Sequence, residues 1–83
     1  MKLKYFAWVR ERIGVAEEEI ALPEGVETAH DLIVFLKGRG DGYAHALEQD
    51  RFIRVAADHK HVQHNTPIRG AHEVALFPPM TGG

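Results

Sequence analysis

Hydrophobic residues recur at every second position near both ends of this chain, and at every third or fourth position once in between. The period of two predicts strands over residues 2–9, 17–22, 52–57 and 73–77. The longer period predicts a helix that begins after Thr28 and ends at Gly38. Another short helix is expected over residues 43–47. The predicted order is therefore two strands, the main helix, a short helix and two more strands.

The main helix carries the most complete set of local signals. Thr28 followed three residues later by Asp31 resembles a capping box, in which each side chain accepts a hydrogen bond from a free backbone N–H group. A buried stripe is expected from four apolar residues at helical spacing, Ala29, Leu32, Ile33 and Leu36. One or two helical turns are also expected over residues 9–14, where Gly14 would cap the C-terminus.

One strong helix among several strands favours an α+β fold over a doubly wound or all-helical one. The economical solution for this element order is a ubiquitin-like β-grasp, with a mixed four- to five-stranded sheet packed on one main helix. We expect a single domain over residues 1–77, because a chain of this length has room for only one core. The first and last strands would lie side by side at the centre of the sheet.

One helix can cover only one face of a sheet, so the opposite face is expected to be open. Phe6 and Trp8 of the first strand and Phe77 of the last strand would point toward that open face. An exposed apolar patch of this size is typical of a surface that binds a partner. The alternative is that loops or the second short helix cover the patch.

Charge and composition exclude several classes of function. The formal net charge of −2 and the scattered basic residues argue against nucleic-acid binding and against attraction to an anionic membrane. No apolar run approaches the length of a membrane span, so a cytoplasmic protein is expected. The absence of cysteine excludes disulfides and thiolate metal sites, and the absence of serine removes the commonest hydroxyl nucleophile.

The last six residues differ in character from the predicted domain. Pro78 and Pro79 favour an extended path, so residues 78–83 are expected to project as a flexible tail. Gly82 and Gly83 lack Cβ atoms and could enter a channel only as wide as a peptide. A carboxylate delivered at Gly83 would be a plausible substrate for another enzyme. A frayed chain end is the alternative interpretation.

The other motifs favour structural explanations. Histidines 59, 61 and 64 lie in a predicted exposed turn with only Asp58 as a nearby carboxylate, which favours a solvated loop over a metal site. Glycines 38, 40 and 42 follow a helix, whereas a phosphate-binding loop of this type follows a strand. We therefore expect no metal site, no stably bound cofactor and no catalytic site within the domain.

The C-terminal residues closely resemble those of a known family, the small sulfur-carrying subunits of molybdopterin synthase. The matching segment runs from Glu73 and ends in Phe77-Pro78-Pro79-Met80-Thr81-Gly82-Gly83. Near the N-terminus, Phe6-Ala7, Arg10-Glu11 and Gly14 are similar to the family's first strand and helix. Ala46-Leu47-Glu48 and Thr66-Pro67-Ile68 agree more loosely, so the resemblance spans the whole chain.

The resemblance implies that the chain is the sulfur-donating subunit of a sulfurtransferase. An E1-like enzyme would use ATP to adenylate the carboxylate of Gly83, and sulfur from a separate donor protein would replace AMP to leave a thiocarboxylate. The tail would then donate sulfur to cyclic pyranopterin monophosphate within the large subunit, during molybdenum cofactor biosynthesis. The implied assembly is a heterotetramer of two small and two large subunits.

The family pattern also assigns roles to individual residues. Phe6, Arg10 and Phe77 would lie at the interfaces with the large subunit and the activating enzyme, joined by Trp8 of the predicted patch. Threading of the tail would involve Pro78, Pro79, Met80, Thr81 and Gly82. Three alternatives stay open: a ubiquitin-like modifier joined to lysines of other proteins, a sulfur carrier for another pathway, and a β-grasp interaction module with an inert tail.

Overall fold

The computed structural model describes residues 1–79, which form five strands and three α-helices. The strands are β1 (Lys2–Tyr5), β2 (Glu17–Glu19), β3 (Arg54–Ala57), β4 (Lys60–Val62) and β5 (Glu73–Phe77). The helices are α1 (Ala7–Ile13), α2 (Ala29–Lys37) and α3 (Asp41–Ala46), and a 3-10 turn covers Asp50–Phe52. None of the helices in this part of the chain has the length and apolar character needed to cross a membrane.

The strands form one mixed sheet in the order β2-β1-β5-β3-β4. Strand β5 lies at the centre, parallel to β1 and antiparallel to β3. The outer pairs β1–β2 and β3–β4 are antiparallel, and helix α1 lies in the connection between β1 and β2. The predicted pairing of the first and last strands is therefore confirmed, and so is the α+β fold with a mixed sheet packed on a main helix.

Helix α2 follows the sequence prediction closely. The Thr28 hydroxyl accepts a hydrogen bond from the Asp31 N–H at 3.1 Å, and the Asp31 carboxylate accepts one from the Thr28 N–H at 3.1 Å. The backbone N–H groups of Thr28 and Glu27 hold the pKa of the Asp31 carboxyl below its usual value. The predicted stripe is fully buried, and Gly38 caps the other end of the helix.

The core lies between the sheet and the helices, and all of its buried residues within the described range are hydrophobic. Its members are Leu3, Tyr5, Val9, Val26, Ala29, Leu32, Ile33, Leu36, Ala46, Leu47, Ile53, Val55, Ile68, Val74 and Leu76. Helix α1 contributes Val9 and helix α3 contributes Ala46, so α2 shares its role with two shorter helices. Truncating one of the buried leucines would cost about 2–5 kcal/mol, because the site could only partly collapse.

The first strand is shorter than predicted. It ends at Tyr5, and Ala7 has a left-handed backbone with a φ of 53°, which breaks the extended path expected through Val9. Helix α1 starts at once and ends at Gly14, whose φ of 101° and hydrogen bond to the Arg10 carbonyl match the predicted glycine cap. Trp8 therefore belongs to a helix, and its predicted position in the strand was wrong.

The exposed turn predicted after β3 is instead a β-hairpin, in which a two-residue turn joins β3 to β4. Asp58 and His59 have φ angles of 48° and 71°, which is the left-handed pair found in tight type I′ turns. Strand β4 follows directly and pairs with β3 through Ala57 and Lys60. Strand β4 was not predicted, because three mostly polar residues at a sheet edge carry too weak a pattern of alternation.

Three further boundaries differ from the prediction. Strand β2 stops at Glu19 instead of continuing to Leu22, and β3 begins at Arg54 because Phe52 lies in the 3-10 turn. Helix α3 begins at Asp41, so Gly42 is helical and not part of a loop.

Candidate partner-binding site

The central strand carries the chain to the start of the predicted tail. Phe77 is the last residue of β5 and lies opposite Arg54 of β3. Its side chain is half-buried, and its ring meets the His61 ring edge-on with centroids 5.4 Å apart. Because burial alternates along β5, Phe77 points to the face opposite Val74 and Leu76, which is the face away from the core.

Phe6 lies next to the end of β5. Its backbone N–H donates a hydrogen bond to the Leu76 carbonyl at 3.2 Å, and its side chain is 46% exposed. Tyr5 pairs with Leu76 in the register of β1 and β5, so Phe6 and Phe77 follow at the same level of the sheet. The two phenylalanines predicted to share an interface are therefore brought to one end of the central strands.

Trp8 occupies a different position from the one predicted. It lies in the first turn of α1, half-buried against the core, instead of beside Phe6 on the open face of the sheet. The guanidinium of Arg12, one turn later, lies 4.4 Å from the centre of the Trp8 ring. The prediction that Trp8 lies on the open sheet face with Phe6 and Phe77 was therefore wrong. The role of Trp8 at a partner interface stays a prediction.

Arg10 lies on α1 one turn after Phe6. Its backbone N–H donates to the Phe6 carbonyl at 3.3 Å, and its side chain is exposed. Within residues 1–79 its guanidinium takes part in no salt bridge. The side chain therefore lies free on the surface near Phe6, and the contact with a partner that the resemblance implies for Arg10 stays a prediction.

A groove that the sequence did not predict runs beside the start of the tail. It has a volume of about 410 Å³, and its lining includes Trp8, Arg12, Phe52 and Pro79. We call these four residues and the space between them the aromatic groove. Phe52 is 45% exposed and had been assigned to the start of a strand. The alternation of the predicted strand could have indicated that Phe52 is exposed. Ile53 and Val55 point inward, so Phe52, which precedes Ile53, should point outward.

A polar cluster fixes helix α3, whose Ala46 also lines the groove. The Glu18 carboxylate on β2 accepts hydrogen bonds from the hydroxyls of Tyr5 at 2.7 Å and Tyr43 at 2.6 Å. The Arg39 guanidinium donates to the same carboxylate at 3.0 Å. Burial would by itself raise the pKa of Glu18, but these three donors outweigh it and lower the pKa.

The same cluster changes the acidity of both tyrosines. Burial and the hydrogen bond to Glu18 raise the pKa of Tyr5 far above its ordinary value of 10.0, and the same two causes raise the pKa of Tyr43. These hydroxyls therefore stay protonated, donating groups over the whole physiological range. Their hydrogen bonds to one carboxylate join β1, β2 and α3. This arrangement indicates a structural role for the cluster, not a catalytic one.

The remaining predicted site residues are the tail itself. Pro78 and Pro79 are half-buried, and Pro79 is one of the residues that line the aromatic groove. Met80, Thr81, Gly82 and Gly83 lie outside the described residues, so their roles stay predictions. Among residues 1–79 no three histidine or carboxylate side chains group closely enough to hold a metal ion. The described site is therefore a partly exposed aromatic surface at the base of the predicted tail, and its role as an interface stays a prediction.

The fold and this surface define the chain as a small ubiquitin-like β-grasp protein. Its sequence matches the ThiS family model over residues 3–83, and the chain belongs to that family. It is 34% identical to the molybdopterin synthase sulfur carrier subunit of Haemophilus influenzae, with 100% of this chain and 99% of the relative covered. The resemblance identified in the sequence is thereby confirmed.

Solved structures agree with the assignment of the fold. A Pyrococcus furiosus protein provisionally described as molybdopterin converting factor, subunit 1 is 32% identical, with 95% of each chain covered and a TM-score of 0.72. SAMP1, small archaeal modifier protein 1 from Haloferax volcanii, is 27% identical over 100% of this chain and 98% of its own, with a TM-score of 0.71. The chain therefore resembles both a converting-factor subunit and a protein modifier.

Proposed function

We propose that this chain is the sulfur carrier subunit of molybdopterin synthase. The observation that carries the proposal is its full-length similarity to a subunit of that name, in a chain whose last residues are Gly82 and Gly83. The position of β5 supports it, because the central strand of the sheet leads into the Pro78-Pro79 pair at one end of the domain.

In the proposed reaction the carboxylate of Gly83 is the group that changes. A carboxylate is a poor electrophile, so an E1-like enzyme first transfers AMP from ATP to one of its oxygens and releases pyrophosphate. Hydrosulfide supplied by a donor protein then attacks the acyl carbon, and AMP leaves with the oxygen to which it is bound, so no oxidant or reductant is required. The resulting thiocarboxylate carries a soft nucleophile at the end of a narrow arm.

The acceptor in this proposal is cyclic pyranopterin monophosphate, bound by the large subunit of the synthase. Because a dithiolene contains two sulfurs, two loaded carriers are needed for each product, which suits an assembly of two small and two large subunits. Gly82 and Gly83 have no side chains to obstruct a channel through the partner. The proposal includes a cytoplasmic location, where ATP is available to the activating enzyme.

Phe6, Arg10 and Phe77 are the proposed contacts with the partners. The two phenylalanines lie at the level where the central strands end, and Arg10 follows one helical turn after Phe6. Apolar rings with a cation at the edge are typical of the residues that dominate protein interfaces. The domain would therefore supply binding and orientation, while the reacting atom belongs to Gly83.

A second candidate function is that of a ubiquitin-like protein modifier. It is favoured by the likeness to SAMP1, which covers the whole of this chain. Modification would begin with the same adenylation of Gly83 and would end with an amide bond to a lysine amine of another protein. The two functions therefore share their first step and differ in the nucleophile that attacks the activated carbonyl.

The test is intact mass spectrometry after incubation with the activating enzyme, ATP and a sulfur source. The expected result is a mass shift equal to the replacement of one oxygen by sulfur, confined to the C-terminal peptide. No shift, while a known carrier is converted in the same mixture, would overturn the proposal. Covalent adducts of the chain with lysines in a cell extract would instead favour the modifier.

A further inference from the structure

We propose that the aromatic groove binds an acidic segment of the protein that receives the tail, with an apolar side chain of that segment seated between Trp8 and Phe52. This inference rests on the proposed function and deepens it, because it adds a second contact surface beside Phe6, Arg10 and Phe77. The groove and the tail would then be engaged by the same partner.

The position of the groove supports a shared partner. Pro79 lines it, so any protein that takes hold of the tail approaches the groove from the same side. Its volume of about 410 Å³ is within the range of pockets that take small ligands, so it can admit the side chain of a bound segment. Phe52 lines the groove and is 45% exposed, so part of its apolar ring is open to a bound side chain.

An arginine side chain stacks over each of the two aromatic rings of the groove, Trp8 and Phe52. The guanidinium of Arg12 lies 4.4 Å from the centre of the Trp8 ring, and that of Arg51 lies 4.8 Å from the centre of the Phe52 ring. Stacking of this kind restrains the side chain while leaving the N–H groups at the edge of the guanidinium plane able to reach a carboxylate. The apolar surface is therefore bordered by two positioned hydrogen-bond donors.

The basic side chains that form no salt bridge indicate which kind of segment the groove would bind. Within the described range, salt bridges engage Lys2, Lys4, Lys37 and Arg39. They engage none of Arg10, Arg12, Arg51 and Arg54. Of these four, Arg12 lines the groove and Arg51 stacks on Phe52, which also lines it, so two guanidiniums without a salt bridge to residues 1–79 border the apolar surface. An acidic segment supplies the missing charges.

A polynucleotide also has affinity for arginines and aromatic faces, but the groove suits it less well. Glu48 lies among the lining residues and repels phosphates and carboxylates alike, but a polynucleotide carries a charge on every nucleotide and cannot keep all of them away from it. A protein segment can place its carboxylates beside Arg12 and Arg51 and an apolar side chain elsewhere. Removal of the Glu48 charge should therefore strengthen binding of the acidic segment.

The test measures binding of the full chain to two probes, the synthase large subunit and the activating enzyme of the same organism, by isothermal titration calorimetry. We expect the double variant Arg12→Ala, Arg51→Ala to bind at least one probe about tenfold more weakly. Glu48→Gln should bind that probe severalfold more tightly. Lys60→Ala removes an exposed cation from edge strand β4, outside the groove, and serves as the matched control with unchanged affinity.

Each outcome decides the question, once circular dichroism shows that the variants are folded. Unchanged affinity of the double variant for both probes would overturn the groove's role and leave the proposed function standing. Failure of the unaltered chain to bind either probe would overturn the proposed function and the groove's role together. Tight binding of a single-stranded oligonucleotide that is lost in the double variant would replace the acidic segment with a nucleic acid.

Discussion

The hydroxyl of Tyr43 donates a 2.6 Å hydrogen bond to the carboxylate of Glu18, and this contact joins helix α3 to edge strand β2. Strand β2 has only three residues and pairs with β1 alone, so it depends on contacts of this kind. Helix α3 supplies Ala46 to the aromatic groove, and the cluster around Glu18 therefore also supports the proposed docking surface.

Replacement of Tyr43 by phenylalanine should lower the free energy of unfolding by about 1–2 kcal/mol, because one donor to a charged acceptor is lost while Tyr5 and Arg39 remain. Urea unfolding followed by Trp8 fluorescence measures the change. Glu11→Gln, at an exposed position of α1, is the control and should leave stability nearly unchanged. Equal stability of the Tyr43 variant would mean that the contact contributes nothing.

Stability should depend on pH at both extremes through the same cluster. The folded-state pKa of Glu18 lies below its ordinary value of 4.5, so its contribution is present above about pH 4.5 and is lost as the pH falls through the folded pKa. The folded-state pKa values of Tyr5 and Tyr43 lie above 10.0, so their contribution is present below about pH 10 and is lost at higher pH.

The measurement is the free energy of unfolding from pH 3 to pH 7, for the unaltered chain and for Glu18→Gln. The variant should be less stable at pH 7, and the difference between the two proteins should shrink toward pH 3. Glu11→Gln should follow the unaltered chain throughout. A constant difference over the acid range would show that ionisation of Glu18 is not what stabilises the cluster.

Gly42 should tolerate no larger side chain, although it lies inside a helix. A Cβ atom at this position would lie 2.7 Å from the backbone carbonyl oxygen of Arg12, where α3 packs closely on α1. Gly42→Ala should therefore destabilise the chain by about 1–3 kcal/mol in thermal or urea unfolding, despite the better helix propensity of alanine. Gly70→Ala, with open space around its Cβ, is the matched control and should cost almost nothing.

Phe77→Ala should weaken binding to the synthase large subunit by about 1–3 kcal/mol, because an aromatic ring at the base of the tail has the character of an interface anchor. Calorimetric titration measures the affinity. Val34→Ala is the control, since Val34 is also apolar and 52% exposed but lies on α2. An unchanged affinity for the Phe77 variant, with its fold intact, would move the interface elsewhere.

Deletion of Gly83, or addition of one residue after it, should abolish sulfur transfer without lowering the melting temperature. The reacting group would be removed or displaced, whereas the core lies within residues 3–76. Thiocarboxylate formation by mass spectrometry and product formation by the assembled synthase are the two readouts. Normal turnover by an extended chain that is verified to be unprocessed would contradict the proposed role of Gly83.

Several residues of the candidate site could be identified from the sequence, by the alternation of a strand or by the resemblance to a family. Alternation placed Phe77 on the face opposite Leu76, and the resemblance pointed to Phe6 and Arg10. The aromatic groove was missed because its residues are far apart in sequence. Trp8 reaches it through the left-handed backbone of Ala7, which no hydrophobic pattern encodes.

The elements that could be derived from the sequence are those with local causes. The capping box at Thr28, the helical stripe of α2 and the glycine cap at Gly14 each depend on residues within a few positions, so their physical chemistry can be derived directly. The adjacency of β1 and β5 was expected from the proposed fold class, whereas the structure supplied their parallel direction.

Contacts between residues that are distant in the sequence depend on how the elements pack. The three donors around Glu18, the approach of Gly42 to Arg12 and the stacking of arginines beside the tail depend on how α1 and α3 pack against the sheet. Such packing results from many weak contacts between segments that are remote in the chain, and no single residue pattern records it.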